Sequence, residues 1–187
     1  MSLVELVAQA DDRGLAASGL ACLDRCVPLL GGDDEILRPL WASLVDGEAW
    51  QDRLEQARAK LDRGVPEPAL TDEDEAALLA RRMLDAVPAP PTGPAVRAWA
   101  DACSVAALQI HRLLDVGDDG TSSVTARREG RTDGMSPLVA AELRRQVTVL
   151  ELLADHGAGG LRLALDVSTE GRRVLRAVVS RRARGRV

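Results

Sequence analysis

The most regular pattern in the chain runs from Ala95 to Val116, where Val96, Trp99, Ala100, Cys103, Ala106, Ala107, Ile110, Leu113 and Leu114 recur at three-and-four spacing. That spacing gathers side chains on one face of a helix. Val105 and Leu108 fall off the stripe, so a second face is partly apolar, as befits a helix with neighbours on more than one side. The segment reads as the central helix of a bundle, bracketed by Pro94 and Gly117.

The chain before it predicts five further helices. Ser2-x-x-Glu5 has the form of a capping box in front of Leu3, Val4, Val7 and Ala10. A second helix carries Leu15, Leu20, Leu23 and Val27 and ends between Pro28 and Gly31-Gly32, because proline and paired glycines disfavour continuation. Ile36, Leu37, Leu40, Trp41, Leu44 and Val45 mark a third, closed by Gly47. The fourth, about Glu48 to Arg63, is amphipathic, with Trp50, Leu54, Ala57 and Leu61 on one side. After the linker from Gly64 to Leu70, Thr71-x-x-Asp74 opens a fifth with four consecutive acids, which suit the free N–H groups and the positive end of the helix dipole.

Beyond the central helix the pattern weakens and then changes period. Residues 117 to 135 hold little apolar content and read as a mobile, functional or partly strand-forming loop. Ser136-Pro137 opens another helix, running to about His156 and stopped by Gly157, Gly159 and Gly160. Leu161, Leu163, Leu165 and Val167 then alternate with Arg162, Ala164 and Asp166, the two-residue repeat of a half-buried strand. For residues 172–182 the choice is between a second strand and a helix capped by Ser168. The β-branched Val174, Val178 and Val179, with Gly171 available for a turn, favour the hairpin. The expected fold is therefore mainly α: a multi-helix bundle over residues 1–160, with a small C-terminal β-hairpin or helix over 161–187 packed on the same domain.

Composition adds that the core is aliphatic. The chain of 187 residues is 46% hydrophobic, with three Trp and no Phe or Tyr. Among its basic residues only Lys60 is a lysine, a bias that reads as a GC-rich coding sequence and argues against assigning a role to every Arg. Cys22, Cys26 and Cys103 are an odd number without disulfide-scaffold density, and the N-terminus lacks a basic, apolar leader pattern, so a reduced, cytoplasmic protein is expected. No run of about 18 apolar residues suggests a membrane span.

Charge is unevenly spread. Residues 171–187 carry seven Arg and no acid, a balance of +7, which leaves 17 basic against 29 acidic residues before them and a net charge of −5 for the whole. Arg172, Arg173, Arg176, Arg181, Arg182, Arg184 and Arg186 are therefore the candidate partner-binding residues, facing an acidic partner or the protein's own acidic body. Nucleic acid is the less favoured partner, since the body repels phosphate and no aromatic residue offers a stacking surface beside the arginines.

Candidate chemistry is sparse. His111 and Asp115 are four apart on the central helix, and His156 lies near Glu151 and Asp155, so His111, Asp115 and His156 form the candidate metal set. The same His111–Asp115 spacing is met equally by a hydrogen-bonded pair near a helix C-terminus. Cys22 and Cys26 lack the further ligands a soft metal or redox site needs and read as small core residues. The glycines at 157, 159 and 160 follow a helix, whereas a nucleotide fingerprint opens one. No cofactor motif stands out. These features fit best a non-enzymatic helical interaction or scaffold protein that binds another protein or a second copy of itself. A metal-dependent bundle enzyme and a nucleic-acid-associated protein are the alternatives.

Overall fold

The computed structural model describes residues 1–62, 64, 68–121 and 123–186, and among them the chain is mainly α-helical with no strand. The helices are α1 (Leu3–Gln9), α2 (Asp12–Cys26), α3 (Arg38–Asp46), α4 (Trp50–Lys60), α5 (Asp72–Asp85), α6 (Gly93–Leu114), α7 (Val124–Arg128), α8 (Pro137–His156) and α9 (Gly160–Arg184). Short 3₁₀ turns follow α2 at Val27–Leu30 and α8 at Gly157–Gly159.

Local signals set most boundaries. Both capping boxes form, Ser2 with Glu5 at the start of α1 and Thr71 with Asp74 at the start of α5. Gly47 ends α3 in the left-handed conformation, at φ 75°, where a side chain would be strained. Several arginines satisfy the carbonyls at helix C-termini: Arg97 donates to Val7 and Ala10 at the end of α1, and Arg58 to Leu84, Asp85 and Val87 at the end of α5.

The centre of the bundle is α2 rather than the expected α6. α6 packs against α2, α5 and α8 through its predicted stripe. The fully enclosed element is α2, in which every residue from Gly14 to Cys26 is buried and which meets α3, α5, α6, α8 and α9. Small residues make this possible. Ala16, Ala17, Ser18, Gly19 and Ala21 let neighbouring helices approach closely, and a Cβ on Gly19 would lie 2.5 Å from the Trp99 ring of α6.

The C-terminal β-hairpin does not form: residues 160–184 are one continuous helix. Its buried residues, Leu161, Ala164, Ser168, Gly171, Arg172 and Leu175, follow the helical period, while Leu163, which the strand reading pointed inward, is 40% exposed. Gly171 makes no turn. It clears space for Arg25 of α2 and Arg145 of α8, whose side chains a Cβ there would strike. Ser168 caps nothing and donates instead to the Ala164 carbonyl. α9 lies antiparallel to α8: Gly160 abuts Leu152, Arg145 meets Glu170, and the start of α8 faces Val174 and Val178. The 117–135 segment contains the short helix α7 rather than a strand.

Because a Cβ at position 19 would meet the Trp99 ring, itself anchored by its indole N–H to the Met83 carbonyl at 2.9 Å, Gly19→Ala should cost about 1–3 kcal/mol, the usual range for overpacking. A urea titration checks this, with a lowered midpoint and unchanged slope expected.

Candidate functional site

Two features stand out once the helices are assembled: a charged network inside the bundle and an apolar groove at one end of it.

The network begins with Arg25 of α2 and Glu142 of α8, both fully buried. Arg25 Nε and Nη2 donate to the two carboxylate oxygens at 2.8 and 2.7 Å, a two-pronged pair. Gln146, one turn along α8, donates to Glu142 Oε1 at 2.9 Å and accepts from the Ser104 hydroxyl of α6 at 2.6 Å. Ser104 in turn accepts from Arg128 Nε at 3.0 Å, and Arg128 of α7 closes on Asp101 at the surface. A continuous polar path therefore crosses the bundle, tying α2, α8, α6 and α7 together.

A second buried pair joins α2 to α9: Arg172 donates to Asp24 at 2.6 Å, and Trp41 Nε1 reaches the same carboxylate at 3.2 Å. Burial pushes the Asp24 carboxyl above its ordinary range despite these partners. At Glu142 the balance is reversed. Burial alone would raise its pKa, but the Arg25 guanidinium, with His111 and Gln146, outweighs that and holds it at about 2.

His111, the first residue of the candidate metal set, joins this network. Its Nδ1 lies 2.6 Å from the Ala107 carbonyl, which fixes that nitrogen as the donor, and its Nε2 stands 3.5 Å from Glu142 Oε2. Burial lowers its pKa more than the Glu142 carboxylate raises it. Asp115 takes a different direction: its carboxylate accepts from the backbone N–H of Leu138, at the start of α8, and of Gly117. The His111–Asp115 hydrogen bond that the spacing allows is not made. His156 is exposed at the far end of α8, fourteen residues beyond Glu142 and so about 21 Å along the helix. The structure does not bring the three together, and among the described residues no group of three or more His, Cys, Asp or Glu is placed to hold a metal ion.

The cysteines are free and buried. Burial pushes the Cys22 thiol up to about 12, and Cys26 and Cys103 likewise rise, so all three remain protonated core groups.

The arginines of 171–187 divide into two sets. Arg172 is buried with Asp24, Arg176 pairs with Asp34, and Arg186 pairs with Glu73 at the start of α5. Arg173, Arg181, Arg182 and Arg184 make no ion pair with another described residue.

Arg181 and Arg182 border the groove. It opens where α6 stops, between Leu114–Val116, the first turn of α8 and the last turns of α9, with a volume of about 540 Å³. Leu138, Ala141, Val174 and Val178 form its walls, and Val116 at its edge is 92% exposed. Asp115 is the one acid among the described lining residues, and both of its oxygens already accept backbone N–H groups.

The chain matches no known protein family, no curated protein and no solved structure.

Sequence reasoning missed Arg25, Glu142 and Gln146, yet a signal was present. Glu142 and Gln146 fall at helical spacing among Val139, Leu143 and Leu150, polar residues within an apolar stripe. The groove had no such signature, because it depends on where α6 ends relative to α8 and α9.

Glu142→Gln leaves Arg25 buried without its counter-charge and should cost about 3–5 kcal/mol at pH 7. The pH dependence follows from the lowered pKa values. Glu142 ionises at about 2 in the folded chain against 4.5 as the ordinary value, so its stabilisation is complete above pH 4.5 and lost as pH falls through 2. His111, also lowered, acts in the same direction, its contribution present above 6.5 and declining as the pH drops below it. Urea midpoints between pH 7 and pH 2.5 should therefore converge for wild type and Glu142→Gln at the acid end.

Proposed function

We propose that this chain is a non-enzymatic, cytoplasmic interaction protein that docks another protein at the groove between the end of α6, the start of α8 and the last turns of α9. The single observation that carries the reading is the contrast between the two features. The buried charges are engaged with one another along a chain of side chains that line none of the groove, whereas the groove leaves Val116 in solvent beside Arg181 and Arg182, neither of which forms an ion pair with another described residue. An apolar floor with a charged rim is the usual anatomy of a docking patch.

Several further observations favour this reading over the alternatives. The candidate metal residues point to three different places, and His111 is already occupied by the Ala107 carbonyl and the neighbourhood of Glu142. Three of the seven C-terminal arginines are committed to the protein's own acids, which reduces the positive surface available to phosphate. Among the described residues no helix is long and apolar enough to cross a membrane.

Removal of residues 171–187 is a poor test, since it takes Gly171, Arg172 and Leu175 out of the core. A photo-crosslinking amino acid in place of Val116 tests the site directly. In cells it should give a discrete higher-mass adduct that the same group in place of Val45, exposed elsewhere on α3, does not give. Identical patterns at both positions, or no adduct at Val116, would contradict the proposal.

A further inference from the structure

The groove also constrains what sits in it. We infer that its occupant is an amphipathic helix of a partner protein with an apolar ridge flanked by Asp or Glu; this inference rests on the docking role proposed above.

Shape carries the first half. Leu138 and Ala141 stand three apart on α8, and Val174 and Val178 four apart on α9, so each helix offers a short apolar row along a shared channel. α6 fills the space beside α8 as far as Leu114 and then leaves it, Val116 turning into solvent. Beyond Leu114 the apolar rows of α8 and α9 line an open groove. A partner helix laid along it places anchors at i, i+3 or i+4 and i+7 between the two rows.

Charge carries the second half. Arg181 and Arg182 are the basic residues among the described lining, neither is ion-paired with another described residue, and Arg182 Nε is buried without an acceptor among them. The lining acid, Asp115, spends its carboxylate on the Leu138 and Gly117 N–H groups. Arg184 lies one turn further along α9 and adds to the field. A carboxylate beside the apolar ridge answers these guanidiniums, whereas a basic partner would be repelled. The remainder of the chain is acidic, so the positive edge also fixes orientation: an acidic flank is attracted at α9 and repelled elsewhere.

The test uses a displayed library of random helical peptides selected on the full-length folded protein. Selected peptides are then titrated by fluorescence anisotropy against wild type, Val116→Glu, Val178→Glu and the double reversal Arg181→Glu/Arg182→Glu, each first checked for helicity by circular dichroism. Val116 is exposed enough that its variant keeps the fold even if the Val178 variant does not. The inference expects acidic peptides with apolar residues at helical spacing, binding lost in Val116→Glu, and affinity lowered about tenfold or more by the double reversal and by added salt. Neutral or basic peptides indifferent to the arginine reversal overturn the acidic partner while leaving the docking role standing. Peptides that bind Val116→Glu and Val178→Glu as well as wild type overturn both, as does a selection that enriches nothing. A wild-type dimer by light scattering that Val116→Glu dissociates assigns the groove to a second copy and overturns the separate partner.

Discussion

The Arg25–Glu142 pair is the interaction on which the rest of the structure depends. It joins the enclosed helix α2 to α8 across the middle of the bundle, with neither side chain reachable by water. Two bare charges in such a place are costly, and the fold offsets that cost with two-pronged geometry and with Gln146, which gives the carboxylate another donor. The offset is incomplete: Arg25 Nη1 finds no acceptor. What the pair confers is register. Only one rotation of α2 and of α8 brings these groups together, and only a glycine at position 171 of α9 leaves room for the Arg25 stem.

The same logic extends outward. Asp24, adjacent to Arg25 on α2, takes Arg172 of α9, so the enclosed helix holds one flanking helix with a cation and the other with an anion. Ser104 and Arg128 carry the path to α7, which gives the polar 117–135 segment a fixed attachment to α6. With an aliphatic core that holds three Trp and no Phe or Tyr, shape alone would discriminate poorly between rotations of Ala- and Leu-rich helices. The buried charges supply that discrimination.

Much of the helical framework was legible in the sequence because it is written in local signals. Thr71 and Asp74, Gly47, and the Val96-to-Leu114 stripe each act within a few residues. The C-terminal region reads as a strand because Leu161, Leu163, Leu165 and Val167 alternate over just seven residues, too few to distinguish the two periods. The residues that decide its inward face, Ala164, Ser168, Gly171 and Arg172, are small or charged. Their burial is set by Asp24, Arg25 and Arg145 on other helices, information that no local pattern contains. The enclosure of α2 leaves a faint trace for a similar reason, since Ala, Gly and Ser bury well yet give little hydropathic contrast. Of the candidate site, the basic character of α9 was visible, but its division into internally paired and outward-facing arginines was not. His111 lies beside Glu142, 31 positions away in sequence, and makes no hydrogen bond to Asp115, a pairing across helices that spacing within α6 does not contain.

The groove and the charged core are thus two consequences of one arrangement. Fixing α8 and α9 against α2 by buried ion pairs sets their spacing all the way to the end where α6 stops, and that spacing is the channel lined by Leu138 and Val178. The most direct measurement of this account is a double-mutant cycle on Arg25→Met and Glu142→Leu, read as unfolding free energy at pH 7. If the pair organises the bundle, each single change leaves the other charge buried and costs about 3–5 kcal/mol, while the double variant recovers much of that loss. Losses that simply add, with no recovery in the double variant, would contradict it.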